Sequence, residues 1–455
     1  MLSNSSKTKQ QNLFYSPLSD MLDMNDPLIA LSNAIDWEIF ENEFSQFYSK
    51  DGSPAKPIRL MVGLLILKQL ENLSDESIVI QWKRNPYYQY FCGYNEMQLC
   101  EPCHSTQLVK FRQRIGKKGM ELIFKVSVQL HGSCAEEQQV LIDTTVQEKN
   151  ITYPTDGKLA IKMIHHLHKI GKKEQLNLRR TFVKEIKEHR INLRFFKHPK
   201  KIKKARSSIK RLRTIVGILI RDISRNLKQD KLSNYTNTFD LFDKVRNQQI
   251  KDSNKVLSLH ESHVYAITKG KDHKKYEYGT KASIVATKDS GVIVGVASHS
   301  KNEHDSKTLE VALTSANQTR TTPIKEAICD RGYRGVKEVL GTTICIPGTP
   351  LKRDSEYQKQ NKREKFKRRA AIEPIIGHLK SDFRLARNYL KGFIGDQINL
   401  LLAATAWNLK KWMNIYFFAI ISGEMKLLLE SIKQIKLYNQ IFLQLIVIKL
   451  IFTHP

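Results

Sequence analysis

The 455-residue chain is predicted to be a mixed α/β protein: helices packed on a sheet, an all-helical region before it, and a basic helical insertion within it. Three observations carry that expectation. Short β-branched runs end in carboxylates or turns at QVLID, ASIVATKDSGVIVGVASHS, KEAICD and TTICIP, which are strand signals. Residues 57–125 space their apolar side chains at helical intervals, and 158–255 show helical stretches with no strand alternation. With 41% hydrophobic residues, the chain can bury a sizeable core.

The charge narrows the class of partner. Lysine and arginine number 75 against 45 acidic residues, a net +30, which calls for a polyanion such as nucleic acid or an anionic membrane surface. Between Lys158 and Lys255 there are 28 basic and 8 acidic residues, so +20 of the excess lies in one internal block, where a membrane anchor is not expected. The chain opens MLSNSSKTKQQN, without a basic-then-apolar leader, and no run reaches the roughly 18 apolar residues of a membrane span. The tail QIFLQLIVIKLIF is short and broken by Lys449. A cytoplasmic, nucleoid-associated protein with no membrane partner is the expectation. The six cysteines form no disulfide framework. Cys100, Cys103 and His104 spell C-x-x-C-H, and Cys92 lies near enough to suggest zinc instead, yet haem attachment of that kind normally needs export and a structural zinc site wants four well-placed ligands, so a loop before a helix is expected.

Taken in order, residues 1–56 read as a polar arm with an amphipathic piece, NAIDWEIFENEFSQFY. A helical DNA-binding domain is expected over 57–135. Its first helix is IRLMVGLLILKQLENL, its second is capped by Ser74, and its third starts at Ser105 or Thr106 and ends at Gly116 or Gly119. That third helix carries Arg112 and Arg114, with Lys110, Lys117 and Lys118, beside Leu108, Phe111 and Ile115: one face to pack and one for phosphate. The catalytic core begins over 136–157 with a strand through Asp143. The insertion over 158–255 contains KHPKKIKKARSSIKRLR, where Lys200, Lys201, Lys203 and Lys204 cluster for a DNA backbone. The core resumes over 256–415, where KEAICD is a strand ending in Asp330, RGYRGVKEVL a turn and helix, and TTICIP a strand; 416–455 form an apolar tail.

Asp143 and Asp330 thus end separate strands, where open sheets place ligands, and Glu373 stands at the start of a late helix because Pro374 suits a first turn. Three carboxylates from two strands and a helix suit two magnesium or manganese ions, the arrangement that phosphodiester transfer uses. Each alone has a structural explanation: a turn cap, a pair with Arg331 or Arg334, a solvated helix residue. His299, His304 and Asp305 are read as loop residues, since a metal-bound water needs no histidine base.

The chain resembles the DDE transposases of bacterial insertion sequences, with an RNase H-like catalytic core, over nearly all of residues 27–413. The stretches that carry the resemblance are KPIRLMVGLLILKQLENLSDE, NPYYQYFCG, VLIDTTVQEKNITYPTDGKLA, HKKYEYGTKASI, ICDRGYRG, and RRAAIEPIIGHLKSDFRLARNYLKG followed by DQINLLLAATAWNLKKW. The resemblance implies metal ligation by Asp143, Asp330 and Glu373, with Arg331, Arg369 and Lys380 at the DNA. It also implies a homodimer or higher assembly on element-terminal inverted repeats and target DNA. Where the family's late helix often carries tyrosine, arginine, glutamate and lysine, this chain has Phe366, Arg369, Glu373 and Lys380, so the tyrosine hydroxyl is missing. Two other functions remain open: a decayed, inactive copy acting as a DNA-binding repressor, and a stand-alone metal-dependent nuclease.

Overall fold

The computed structural model describes residues 16–48, 54–249, 251–252, 254–271, 274–346, 348 and 351–421; the apolar tail beyond Ile421 and the side chain of Phe366 fall outside that set. The chain forms two compact units, one of residues 1–148 with 280–455 and one of residues 149–279.

In the first unit, helices α1 (Leu18–Met21), α2 (Pro27–Ala34), α3 (Trp37–Ser45), α4 (Ile58–Leu70), α5 (Asp75–Arg84), α6 (Pro86–Phe91) and α7 (Ser105–Gln129) precede strand β1 (Gln139–Glu148). Ser74 caps α5 through the Ser77 amide and Asn85 caps α6, whose Pro86 fills a position that needs no amide donor. Helix α4 is buried nearly all round, as a helix with no polar face must be. Helix α7 runs past both expected stops. Gly116 takes φ 58° and ψ −158° and kinks the helix without ending it, because Met120, Ile123, Phe124 and Val128 continue the buried stripe.

The second unit holds α8 (Asp156–Lys173), α9 (Val183–Asn192), α10 (Ile202–Asn226), α11 (Gln229–Leu232) and α12 (Thr236–Asn247). Leu159, Met163, Ile164 and Leu167 of α8 pack with Leu212, Ile215, Val216 and Leu219 of α10 in a core of their own. The unit extends beyond 158–255 at both ends. Strand β2 (Tyr265–Lys271) pairs antiparallel with the first half of β3 (Lys274–Thr287), the Lys149 amide donates to the Tyr278 carbonyl, and the Lys149 ammonium pairs with buried Glu261.

From Thr280 the chain is back in the first unit with β4 (Ile293–His299), α13 (Leu309–Asn317), β5 (Glu326–Ile328), β6 (Glu338–Val339), β7 (Thr342–Cys345), α14 (Glu356–Arg369), α15 (Ile372–Ser381) and α16 (Gly392–Ile421). Its strands run β4-β3-β1-β5-β7-β6, with β1, β5 and β7 parallel. Helices on a mixed sheet make this the expected α/β class. One segment departs from the expectation. RGYRGVKEVL forms a short 3-10 turn and then the β6–β7 hairpin, not a helix, because Gly335, Leu340 and Gly341 all have positive φ, the last two at a two-residue hairpin turn. The N-terminal helices share one core with the sheet, in which Leu64, Phe111 and Ile123 join Ile284, Val294 and Leu409. Among the described residues no helix is long and apolar enough to cross a membrane.

Candidate active site

Strand register builds the site. Leu141 in β1 stands level with Ile328 in β5, and extending that parallel register two residues brings Asp143 level with Asp330. Side chains alternate along a strand, so Asp143 points to the same side as Leu141, which packs with Ile328 and Ile372. Ile372 opens α15, so this small apolar cluster sets the first turn of that helix, and Glu373 with it, over the middle of β1 and the end of β5.

Local hydrogen bonds orient the two aspartates. The Thr144 amide donates to Asp143 Oδ1 at 2.7 Å, and the Gly332 amide donates to Asp330 Oδ1 at 2.8 Å in the Asp330-capped turn. Their remaining oxygens converge on Arg369, the last residue of α14. Arg369 Nη2 lies 3.7 Å from Asp143 Oδ2 and 3.8 Å from Asp330 Oδ2, and Nη1 lies 3.7 Å from Glu373 Oε1. These are ion pairs longer than hydrogen bonds. One guanidinium therefore faces three carboxylates.

The residues fit hard divalent cations. The donors are carboxylate oxygens only, the type that magnesium and manganese take. Among the described residues, Tyr333 Oη and Arg369 Nε are buried without hydrogen-bond partners. Burial, followed by the charges of Asp143, Asp305 and Asp330 among others, pushes the Tyr333 hydroxyl far up, so it stays a neutral donor. As arranged around Arg369, the carboxylates are not drawn together on a common point: no group of three His, Cys, Asp or Glu among the described residues stands ready to hold an ion.

The other residues singled out in the sequence fall in different places. Arg331 is exposed beside Asp330, and Lys380 is half-buried on α15 two turns after Glu373. Arg114 is exposed and stacks over Tyr48, 4.5 Å from the ring centre. Arg112 does not face solvent and corrects the expectation of a DNA contact. It is 4% exposed and forms a two-pronged pair with Asp75, which also holds Lys68 at 2.8 Å. Helical phase explains this, because Arg112 follows Phe111 onto the buried side while Arg114 turns outward. In the second unit, Lys200, Lys201, Lys203 and Lys204 are all exposed, with Lys201 over the Phe195 ring.

Cys92 and Cys103 are buried and Cys100 is exposed, consistent with a loop. His304 caps the short turn after β4, and His299 is buried against Ser283, its basicity lowered by burial and then by Lys281. Asp305, read as a loop residue, opens a short 3-10 turn and accepts from Thr144 Oγ1, the hydroxyl next to Asp143 in sequence. The sequence signal that could have found it was the hydroxyl of Thr144 immediately after Asp143.

Two family models match the chain, one described as a transposase domain (DUF772) over residues 16–114 and one as a transposase DDE domain over residues 252–409. Asp330, Arg369 and Glu373 fall in the second match, while Asp143 lies between the two. An uncharacterized protein, ORF8 in the nfe locus of Rhizobium meliloti, is 36% identical over 194 residues, covering 42% of this chain and 94% of that protein. No solved structure gives a significant match.

Proposed function

The chain belongs to the DDE-type transposases of insertion elements, and from that premise we propose that it cleaves DNA at the element's terminal inverted repeats and joins the freed ends to target DNA. The observation that carries this is the level pairing of Asp143 with Asp330, closed by Glu373. Asp143, Asp330 and Glu373 would hold two divalent ions, magnesium or manganese, which when bound lower the pKa of water and stabilise the leaving oxygen.

In the first step water attacks the phosphodiester at the element end, the bond from phosphorus to the 3′ oxygen breaks, and that oxygen leaves as a hydroxyl. In the second step the 3′ hydroxyl attacks a target phosphodiester, and a target 3′ oxygen departs. The Thr144 and Gly332 amides keep the aspartate oxygens aimed through both steps. Arg369, once released from the carboxylates, is placed to meet a phosphate with its planar fork, and Arg331 and Lys380 extend that contact. Outside the site, Arg114 and the lysines at 200, 201, 203 and 204 are proposed to grip the backbone. Bringing two element ends together calls for a homodimer or higher assembly, and DNA as substrate places the enzyme at the nucleoid.

Changing Asp143 or Asp330 to Asn, or Glu373 to Gln, removes ligand charge at nearly constant shape. Each variant is expected to lose cleavage of a labelled terminal-repeat duplex while still binding it in a gel-shift assay. A variant that cleaves normally in magnesium would remove that residue from the ligand set.

A further inference from the structure

We propose that Asp305 is a positioning residue, holding Asp143 and Asp330 in register from the reverse side of the strands; this rests on the metal-dependent reading above. Thr144 alternates with Asp143, so its side chain leaves the opposite side of β1 from the proposed ligand. There Thr144 Oγ1 donates to Asp305 Oδ1 at 2.9 Å, while the Thr144 amide holds Asp143 Oδ1. A pull on Asp305 is thereby transmitted through one residue to Asp143.

The same carboxylate lies beside the turn that presents the second aspartate. A methyl group placed on Gly332 would stand 2.9 Å from Asp305 Oδ2 and 2.9 Å from Asp330 Oδ1, so both carboxylates crowd the same glycine. Asp305 therefore lies between the middle of β1 and the turn after β5, the two pieces of chain that present Asp143 and Asp330.

Like charges so close need a counter-charge, and Lys281 supplies it. Its ammonium, 11% exposed, donates to Asp305 Oδ1 at 2.9 Å and to the Glu303 carbonyl at 2.6 Å, fixing the carboxylate and its loop together. Lys281 comes from β3, next to β1 in the sheet, so the clamp is built on rigid strands. Supporting groups of this kind orient metal ligands, and their loss costs about 10- to 100-fold in metal affinity or activity.

The test uses the full-length chain, with manganese binding followed by water proton relaxation and the magnesium midpoint of terminal-repeat cleavage measured in parallel. Asp305→Ala and Thr144→Val are each expected to raise the metal concentration needed by about tenfold or more. Asp305→Asn keeps an oxygen to accept from Thr144 and is expected to recover most of that loss. Unchanged manganese binding and magnesium midpoint in Thr144→Val, which alters only the bridging hydroxyl and does not depend on Asp305→Ala folding, would overturn the positioning role. So would an Asn variant as impaired as the Ala variant. Asp143→Asn separates the two levels: if it binds manganese and cleaves like the parent, the ligand assignment itself fails, whatever Asp305 does.

Discussion

Two arginines in this chain meet carboxylates in opposite ways. Arg112 and Lys68 share the single carboxylate of Asp75, with side-chain exposures of 5%, 8% and 13%, and the group is bound by short hydrogen bonds. Arg369 faces three carboxylates at 3.7–3.8 Å, with exposures rising to 61% at Glu373. Among the described residues, the first cluster sets two positive charges against one negative, and the ion pairs of the second set one against three. A buried pair with its hydrogen bonds made is a structural commitment, because removing either partner strands a charge out of water. A loose cluster rich in negative charge is instead a place where another cation can enter. Charge balance and contact length, more than residue type, separate the arginine buried in the fold from the one proposed to meet the substrate.

The largest expected effect tests the structural half of that contrast. Asp75→Ala or Arg112→Ala should destabilise the first unit by about 3–5 kcal/mol, the usual cost of leaving one member of a buried pair behind. Thermal denaturation measures it, and a melting temperature within a degree or two of the parent would break the comparison. The same pair predicts an acid limb. Burial alone would raise the Asp75 carboxyl, but the hydrogen bond from Arg112 and the charges of Lys68 and Arg112 hold it at about 2, below its ordinary 3.8. A depressed folded value gives stability that is full above about pH 4 and is lost as pH falls towards 2. Asp75→Asn should flatten that limb.

Exposed lysines supply a third condition, cations turned towards solvent. Replacing Lys200, Lys201, Lys203 and Lys204 together by alanine should leave the melting temperature nearly unchanged and weaken binding to all DNA sequences alike. The slope of log affinity against log salt should shrink by about 0.9 for each phosphate no longer neutralised. An unaltered slope in the folded variant would show that these lysines do not meet DNA.

Much of this was legible in the chain. The β-branched runs before Asp143 and Asp330 and the proline after Glu373 sufficed to expect two strands and a helix start, because alternation and proline geometry act locally; β1 was expected to end at Asp143, but it runs on to Glu148 and places Asp143 mid-strand. What was not legible depends on contacts distant in sequence. Arg112 looked like a DNA contact because its neighbours are basic, and only Asp75, 37 residues earlier, shows why it turns inward. Asp305 lies 161 residues from Thr144, so nothing in its own loop announced the site. The N-terminal helices were expected to form a domain of their own over residues 57–135, but Phe111 and Ile123 share a core with Leu401 and Leu409 of α16. A fragment ending at residue 135 would expose that surface, so it is expected to aggregate or remain unfolded by circular dichroism.

The smallest expected effect is the one that most sharpens the contrast between the two arginines. Arg369→Ala removes the cation that the three carboxylates already hold, so an entering metal no longer has to displace it. Manganese affinity should therefore rise, by about tenfold or about 1.4 kcal/mol, while Arg112→Ala should leave it unchanged where the variant folds. Stability should move little, since partly exposed ion pairs contribute at most about 1 kcal/mol. Cleavage should fall despite tighter metal, because the guanidinium is also the group proposed to meet the phosphate. Arg369→Lys, which keeps the charge but loses the fork, should restore metal affinity towards the parent value without restoring cleavage in full. Relaxation titration and calorimetric melting on the same preparations read both quantities. Weaker or unchanged metal binding in Arg369→Ala, or a melting loss as large as that of Arg112→Ala, would mean that Arg369 is part of the scaffold and that the two arginines do the same work.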